Sequence, residues 1–387
     1  LNPHPYWWHR PLNHAGLSHL HRVHHPPPLL HHCTLSLRYH DSNIHSIAIS
    51  RGLLFTSSDT SSIRAWQLSN NCSELGYIRA SSGDIRAMLA RGNMLFTSNK
   101  DLKIRVWGFS SSNREMDRLI HPRKLSTLPK SRPLRLLLSK PSPQQHKDTI
   151  SCMAYNLIDG ILYIGSYDKT VEAWTLSDRK CVDTFVAHSD NINAMVITDD
   201  GYLFTCSSDG TLKMWTKVRN ETRHTLTTIL HFRPFPIYTL ALSQVLITEN
   251  SFLYSGASDG CIYFWEQHIP GEYYTRQGCV QGHQLGVLCL AVLEDKLISG
   301  SADTTIKIWR RKREHGGVYH ECVGVLEGHK GPVKCVVCCL EEDCFVKGFM
   351  VFSAGLDCSF KAWKVKVLPQ SSKDRSHLLD CGGDDGE

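Results

Sequence analysis

The stretch "SADTTIKIWRR", residues 301–311, sets an aspartate among small and hydroxyl residues ahead of an alternating Thr-Ile-Lys-Ile run that ends on tryptophan. Asp303 stands six residues before Trp309, and the same frame recurs along the chain. "NKDLKIRVW" pairs Asp101 with Trp107, "SYDKTVEAW" Asp168 with Trp174, and "SSDGTLKMW" Asp209 with Trp215. "ASDGCIYFW" pairs Asp259 with Trp265, and "GLDCSFKAW" pairs Asp357 with Trp363. "SSDTSSIRAW" is a further copy with one extra residue between Asp59 and Trp66. Seven of the nine tryptophans are used this way, spaced 41, 67, 41, 50, 44 and 54 residues apart. Self-similarity at a period of about 40 residues decides the architecture before any local propensity does.

Each copy has one internal order, shown by the fourth: His188, the apolar run "INAMVIT", the break "DDG", a second run "YLFTCSS", the turn Asp209-Gly210, then "TLKMW". Period-two runs between turn residues predict half-buried antiparallel strands, so the chain is expected to be all-β. Gly282-His283 opens the sixth copy and Gly328-His329 the seventh, while His188, His146 and His40 stand at the matching offset elsewhere. On these residues the chain resembles the WD-repeat family. That resemblance implies a seven-bladed β-propeller around a central channel.

The resemblance also implies a buried hydrogen-bonded chain in each regular blade. In the sixth copy it would join His283, Asp303, Ser299 or Ser301, and Trp309. Its counterparts would be His188–Asp209–Trp215, His329–Asp357–Trp363, His146–Asp168–Trp174 and His40–Asp59–Trp66. An indole N–H only donates and a carboxylate only accepts, so imidazole and hydroxyl must link them. A pair repeated in five copies is structural rather than a catalytic dyad. Copies two and five depart from the pattern, with Ser81 and Arg233 where histidine is expected and His231 two residues out of place. No tryptophan of the frame is followed by Asp; the next residues are Gln67, Gly108, Thr175, Thr216, Glu266, Arg310 and Lys364.

The last copy has no outer strand after Trp363, and "CTLSLRY" (33–39) is the spare strand expected to complete it and close the ring. An open edge would invite aggregation. The expected organisation is a disordered His/Pro-rich segment over 1–32, a propeller over 33–367 with an insertion at 108–145 between blades two and three, and a loose tail over 368–387. "RKLSTLPKSRPLRLLLSK", "FLYSGASDGCIYFWE", "KLISGSADTTIKIWRR" and "VGVLEGHKGPVKCV" give a narrower resemblance, to the plant WD-repeat group of the JINGUBANG type. It implies a non-catalytic regulatory protein that acts by binding partners.

Composition narrows the function further. No run of eighteen apolar residues is present, as a membrane-spanning helix would need, and the first thirty residues hold no continuous apolar segment of the secretory kind. Fifteen cysteines, an odd number lying mostly in strand-like runs, point to reduced thiols in cytosol or nucleus. Cys335 and Cys338 would face opposite sides of one strand, which suits no metal, and no cofactor is expected. "GASDG" (256–260) matches a hydrolase pattern but lies between two strands, outside the strand-turn-helix setting that pattern needs.

The inter-blade loops after the tryptophans hold 17 Lys and Arg against 8 Asp and Glu, whereas the whole chain is only +6. Arg310, Arg311, Lys312 and Arg313 are therefore candidate contacts for protein partners with acidic segments. Arg233 and Phe235, in "FRPFPIY", are candidates on the opposite face. Nucleic acid binding is not expected, because no base-stacking motif accompanies the basic loops, and a monomer is expected. The alternative to a general scaffold is a substrate receptor of a cullin-type ubiquitin ligase. Such receptors often carry Trp-Asp-x-Arg at a strand end, whereas here "WRRK" has Arg310 in the aspartate's place.

Overall fold

The computed structural model describes residues 29–38, 42–68, 72–79, 83–109, 122–129, 145–218, 221–243, 250–267, 273–314, 316–341 and 348–367. Among them every regular element is a strand. β1 (Leu29–Leu37) comes first in the chain. Blade 1 is β2 (Ile44–Ser50), β3 (Leu53–Ser58), β4 (Ser62–Gln67) and β5 (Ser73–Arg79); blade 2 is β6 (Ile85–Arg91), β7 (Met94–Asn99), β8 (Ile104–Gly108) and β9 (Arg123–Leu128). Blade 3 is β10 (Ile150–Asn156), β11 (Ile161–Ser166), β12 (Thr170–Thr175) and β13 (Lys180–Val186); blade 4 is β14 (Ile192–Ile197), β15 (Leu203–Ser207), β16 (Thr211–Lys217) and β17 (His224–Phe232). Blade 5 is β18 (Ile237–Ser243), β19 (Ser251–Ala257), β20 (Cys261–Gln267) and β21 (Thr275–Gln281). Blade 6 is β22 (Val287–Leu293), β23 (Lys296–Ser301), β24 (Ile306–Glu314) and β25 (Gly317–Leu326). Blade 7 is β26 (Val333–Leu340), β27 (Gly348–Gly355) and β28 (Phe360–Val367), with β1 as its fourth strand.

Seven antiparallel four-stranded sheets thus form a ring, a seven-bladed β-propeller closed by the amino-terminal strand. β1 runs against β28 from Leu29↔Val367 to Leu37↔Phe360. It begins before residue 33, where the sequence reading placed the boundary, because Leu29 is buried between blades 6 and 7 among Ile308, Val323 and Val365. A second correction concerns the 108–145 insertion. Its residues Arg123–Leu128 are the outer strand of blade 2, paired with β8, and so part of the ring.

The ring is held between blades rather than around one centre. Hydrophobic clusters fill every seam, and the last joins Phe352, Phe360 and Ala362 of blade 7 to Ile44, Leu54 and Trp66 of blade 1. Six blades place an aromatic in the middle of the second strand: Phe55, Phe96, Tyr163, Phe204, Tyr254 and Phe352, all fully buried. Several reach an aromatic of the next blade, as in Phe55–Phe109 at 5.4 Å and Phe204–Tyr274 at 5.0 Å. Alternation along the strand makes this possible, since it gives each sheet two apolar faces, one per neighbour.

The residue after the turn aspartate adopts left-handed backbone in six blades: Leu102, Lys169, Gly210, Gly260, Thr304 and Cys358. Glycine is required only where the next segment crosses close by. A Cβ on Gly210 would lie 1.8 Å from the carbonyl oxygen of Arg233, and one on Gly260 would lie 2.6 Å from that of His283.

Candidate functional site

In blades 3, 4, 6 and 7 the turn aspartate and the loop histidine come together at one end of the blade. In blade 6, Trp309 Nε1–H donates to Ser299 Oγ at 2.9 Å, and that hydroxyl meets His283 Nε2 at 2.7 Å. His283 Nδ1 is 2.9 Å from Asp303 Oδ2. The carboxylate only accepts, so Nδ1 carries the proton; burial favours the neutral imidazole, whose Nε2 then accepts from the Ser299 hydroxyl. The remaining capacity of Asp303 is filled by the backbone N–H groups of Gln284 and Thr305 and by the Thr305 hydroxyl. Ser301, the alternative hydroxyl, instead donates to the carbonyls of Leu285 or Gly286.

Blades 4 and 7 repeat this chain: Trp215–Thr205–His188–Asp209 and Trp363–Ser353–His329–Asp357. Burial depresses the proton affinity of His188, His283 and His329, against the pull of their aspartates. Burial alone would raise Asp303 and Asp357, yet hydrogen bonds from backbone and hydroxyl donors and the adjacent imidazole hold both down at about 2. At neutral pH these shifts favour a neutral imidazole beside an ionised carboxylate.

Elsewhere the chain is built from other parts. In blade 3, His146 Nδ1 is 3.0 Å from Asp168 Oδ2, but Ile164 occupies the hydroxyl position. Trp174 therefore donates to Glu172 Oε2 at 2.8 Å, and His146 Nε2 is buried without a hydrogen-bond partner, 3.8 Å from that carboxylate. Burial raises the Glu172 carboxyl, only partly countered by His146. In blade 2, Arg105 takes the histidine's place, gripping both oxygens of Asp101 at 3.1 and 2.7 Å; Ser81 lies outside the described residues. In blade 5, Tyr263 donates to Asp259 at 2.7 Å, and Ser255, ten residues before Trp265, is buried with its hydroxyl unpartnered. In blade 1, Trp66 donates to Thr56 at 3.0 Å and Asp59 bonds to His45 and Arg86, whereas His40 lies outside the described residues.

Arg105, Glu172 and Tyr263 share a position the sequence reading passed over, two residues before tryptophan. Lys213 occupies it in blade 4 and Lys307 in blade 6, where each ammonium group donates to the carbonyl of the residue before the loop histidine, Ala187 and Gly282. The side chain two residues upstream of the indole thus reaches the histidine loop in blades 4 and 6, the turn aspartate in blades 2 and 5, and the indole N–H itself in blade 3.

Two faces follow. On the aspartate side, Lys100, Tyr167, Ser208, Ser258, Ala302 and Leu356 each donate a backbone N–H to the residue preceding the innermost strand. Those acceptors are Asp84, Thr149, Asn191, Pro236, Gly286 and Pro332, so turn and inner-strand start form one surface around the channel mouth. Its character changes around the ring. Blades 1 and 2 present Asp59, Asp84 and Arg86, whereas blades 5 to 7 present exposed Phe235, Leu285 and Leu356. Arg233 and Lys330 are exposed on the same side.

On the opposite face, Arg310–Arg313 are not a loop. β24 continues past Trp309 to Glu314, paired with β25, because no turn residue intervenes before Gly316. Arg311 stacks on Phe252 at 4.2 Å and donates to Tyr254, Lys312 pairs with Glu321 at 2.8 Å, and Arg313 pairs with buried Glu266. These side chains line a cleft of about 360 Å³ with Asn250, Phe252, Asp295 and Val318. Among the described residues, no group of three or more His, Cys, Asp and Glu is placed to hold a metal ion, and no helix is long and apolar enough to cross a membrane. Cys335 points its thiol at the carbonyl of His45, and burial pushes both Cys335 and Cys338 up to about 12.

The fold and its repeated polar chains define a propeller carrying WD repeats. The family model for the WD domain, G-beta repeat, matches residues 179–216, 274–310 and 320–364. Each match starts in or beside one blade's outer strand and ends near the tryptophan of the next blade. Relatives share only parts of the chain. A WD repeat-containing protein of Schizosaccharomyces pombe is 25% identical over 152 residues, 38% of this chain and 40% of that protein. Small ribosomal subunit protein RACK1 of Neurospora crassa is 33% identical over 84 residues, 20% of this chain and 25% of that protein. F-box/WD repeat-containing protein lin-23 of Caenorhabditis elegans is 42% identical over 57 residues, 15% of this chain and 8% of that protein. The chain therefore spans less than half the length of each of these relatives.

Proposed function

We propose that this protein is a non-catalytic interaction scaffold, a regulatory adaptor of the kind its narrower plant resemblance implies, and that it docks protein partners on the aspartate-side face. The observation that carries the reading is the sector of exposed Phe235, Leu285 and Leu356 on blades 5 to 7, each held on a turn laced to an inner strand. Rigid aromatic and aliphatic side chains on fixed turns are effective binding anchors, because little conformational freedom is lost on contact. Acidic segments of a partner would meet Arg233 and Lys330 beside that sector. Lys312 and Arg313 of the opposite face already have carboxylate partners, so an acidic partner there must displace Glu321 or Glu266.

A non-catalytic role is supported by the repetition of the Asp–His pair in blades 3, 4, 6 and 7 and by the lowered proton affinity of His188, His283 and His329. The chain is expected to act in cytoplasm or nucleus. The second reading, a ubiquitin-ligase substrate receptor, draws on the likeness to lin-23, which covers repeats only. Proximity labelling in plant cells, comparing the wild type with a Phe235→Ala/Leu285→Ala/Leu356→Ala triple variant, tests the proposal. A discrete set of partners should be lost from the variant while its thermal stability is kept. An unchanged partner set would refute the assigned face, and co-purification of a ligase adaptor would favour the second reading.

A further inference from the structure

We infer that the outer edge of blade 4 is a docking site for an extended, uncharged segment of a protein partner that ends on a carboxylate and adds to β17 as a fifth strand. This site lies on the circumference of the ring and meets the face proposed above only at Arg233, so Ile229→Lys, which lies outside that face, tests the edge by itself. β17 reads "HTLTTILHF" and contains no Lys, Arg, Asp or Glu. It exposes Leu226 at 44%, Ile229 at 50% and Phe232 at 77%. Among the described residues, no other outer strand exposes more than one large apolar side chain: Leu30 on β1, Tyr77 on β5, Leu125 on β9, Val186 on β13 and Tyr319 on β25.

Outer strands with a free edge are normally guarded by charge. β5 carries Glu74 and Arg79, β9 Arg123 and Lys124, β13 Lys180 and Asp183, β21 Arg276 and β25 Glu321. β1 is also uncharged but exposes only Leu30. β17 alone joins an uncharged edge to a row of apolar side chains, which is what strand addition uses: backbone pairing for affinity and alternate side chains for selection.

The two ends of β17 differ, and this gives the segment its polarity. Before the strand, Arg223 is paired with Glu221 at 2.8 Å and is neutralised. After it, Arg233 follows Phe232, and Arg276 of β21 lies over the Tyr263 ring at 5.3 Å. Both cations stand near His231, which burial, then Arg276 and Arg233, push down to about 4. The turn that presents Arg233 is clamped, because its N–H donates to Gly210 O at 3.1 Å and its carbonyl fills the space a Cβ on Gly210 would need. A carboxylate at the end of an added strand would meet the exposed Arg233 side chain that this turn presents.

The test uses the full chain and three heptapeptides, labelled with fluorescein at the amino end and amidated at the carboxyl end: alternating Val and Thr ending in Asp, the same peptide ending in Lys, and a Pro-interrupted version that cannot pair. Fluorescence anisotropy should show saturable binding of the Asp-ended peptide, binding of the Lys-ended one weakened about tenfold or more, and none of the interrupted one. Amide exchange should slow within residues 224–232. Ile229→Lys, a change on an exposed edge that should leave the melting temperature unaltered, should weaken binding about tenfold, and Arg233→Glu should invert the Asp/Lys preference. Absence of saturable binding, equal binding of the interrupted peptide, or indifference to Ile229→Lys would overturn the proposal. Self-association of the wild type that Ile229→Lys abolishes would also overturn it, assigning the edge to a second copy of this chain.

Discussion

Blade 3 can be rebuilt in the image of blade 4 by Ile164→Thr with Glu172→Lys, and the two changes should depend strongly on each other. In blade 4 the Thr205 hydroxyl takes the Trp215 N–H at 2.9 Å and meets His188 Nε2 at 2.8 Å, while Lys213 reaches the carbonyl of Ala187. In blade 3 the Glu172 carboxylate takes the Trp174 N–H at 2.8 Å and leaves His146 Nε2 without a partner. Glu172→Lys alone strands a buried indole N–H, at a cost of about 1–3 kcal/mol. Ile164→Thr alone removes packing from the seam between blades 2 and 3 while Glu172 still holds the indole, a loss of about 1 kcal/mol. Together they allow two hydrogen bonds that neither forms fully alone, each contributing about 1 kcal/mol, and they remove a buried carboxylate. The double variant should therefore be more stable than the sum of the single losses by about 2 kcal/mol. Urea denaturation of all four proteins, followed by circular dichroism, measures this coupling. Additive losses would show that the hydroxyl and the residue two before tryptophan are not parts of one device.

Gly210→Ala should destabilise blade 4 by about 2 kcal/mol or more, because the new methyl would lie 1.8 Å from the Arg233 carbonyl on left-handed backbone; a melt matching the wild type would contradict the clamp. Stability should also fall in two stages as pH is lowered. His231 and His320 are pushed down to about 4, chiefly by burial, and His188, His283 and His329 are also lowered. The unfolded chain thus takes up these protons first, and the histidine contribution, complete above about pH 6.5, drains away towards about pH 4. Asp303 and Asp357, held at about 2, add a further loss between about pH 4 and 2, below the range where an unfolded aspartate stays ionised. A urea midpoint that stays flat from pH 7 to 4 would refute the histidine part. Deleting residues 29–37 removes the whole fourth strand of blade 7 and should give protein that aggregates or is readily cut by protease, checked by light scattering and limited proteolysis. A soluble, protease-resistant deletion would contradict that role.

Much of this molecule is legible from Asp303 and Trp309 outward. A fixed separation repeated at intervals of tens of residues forces equivalent strands, and the chemistry of indole, hydroxyl, imidazole and carboxylate allows few ways to connect them. The departures are less legible because the position two before tryptophan reads as ordinary strand. Arg105, Glu172 and Tyr263 all precede tryptophan by two, and a charged or phenolic residue pointing into a buried seam there was the available signal. His45 was hidden for another reason: it lies on β2, inside an alternating run, rather than in the loop where histidine was sought. The basic run after Trp309 reads as a loop only if every third strand stops at its indole, and β24 does not. The missing turn residue between Trp309 and Gly316 argued otherwise. The stripe on β17 could be read as uncharged, but only the ring shows that it forms an outer edge.

The most direct measurement concerns closure. Ser36 faces Lys361 in the β1–β28 register, and their side chains touch. A Ser36→Cys/Lys361→Cys variant, oxidised at low concentration and digested for mass spectrometry, should yield a peptide cross-linked between these positions within one molecule. A cross-link found only between molecules, or none under conditions that oxidise exposed thiols such as Cys279, would contradict a propeller closed by its own amino-terminal strand.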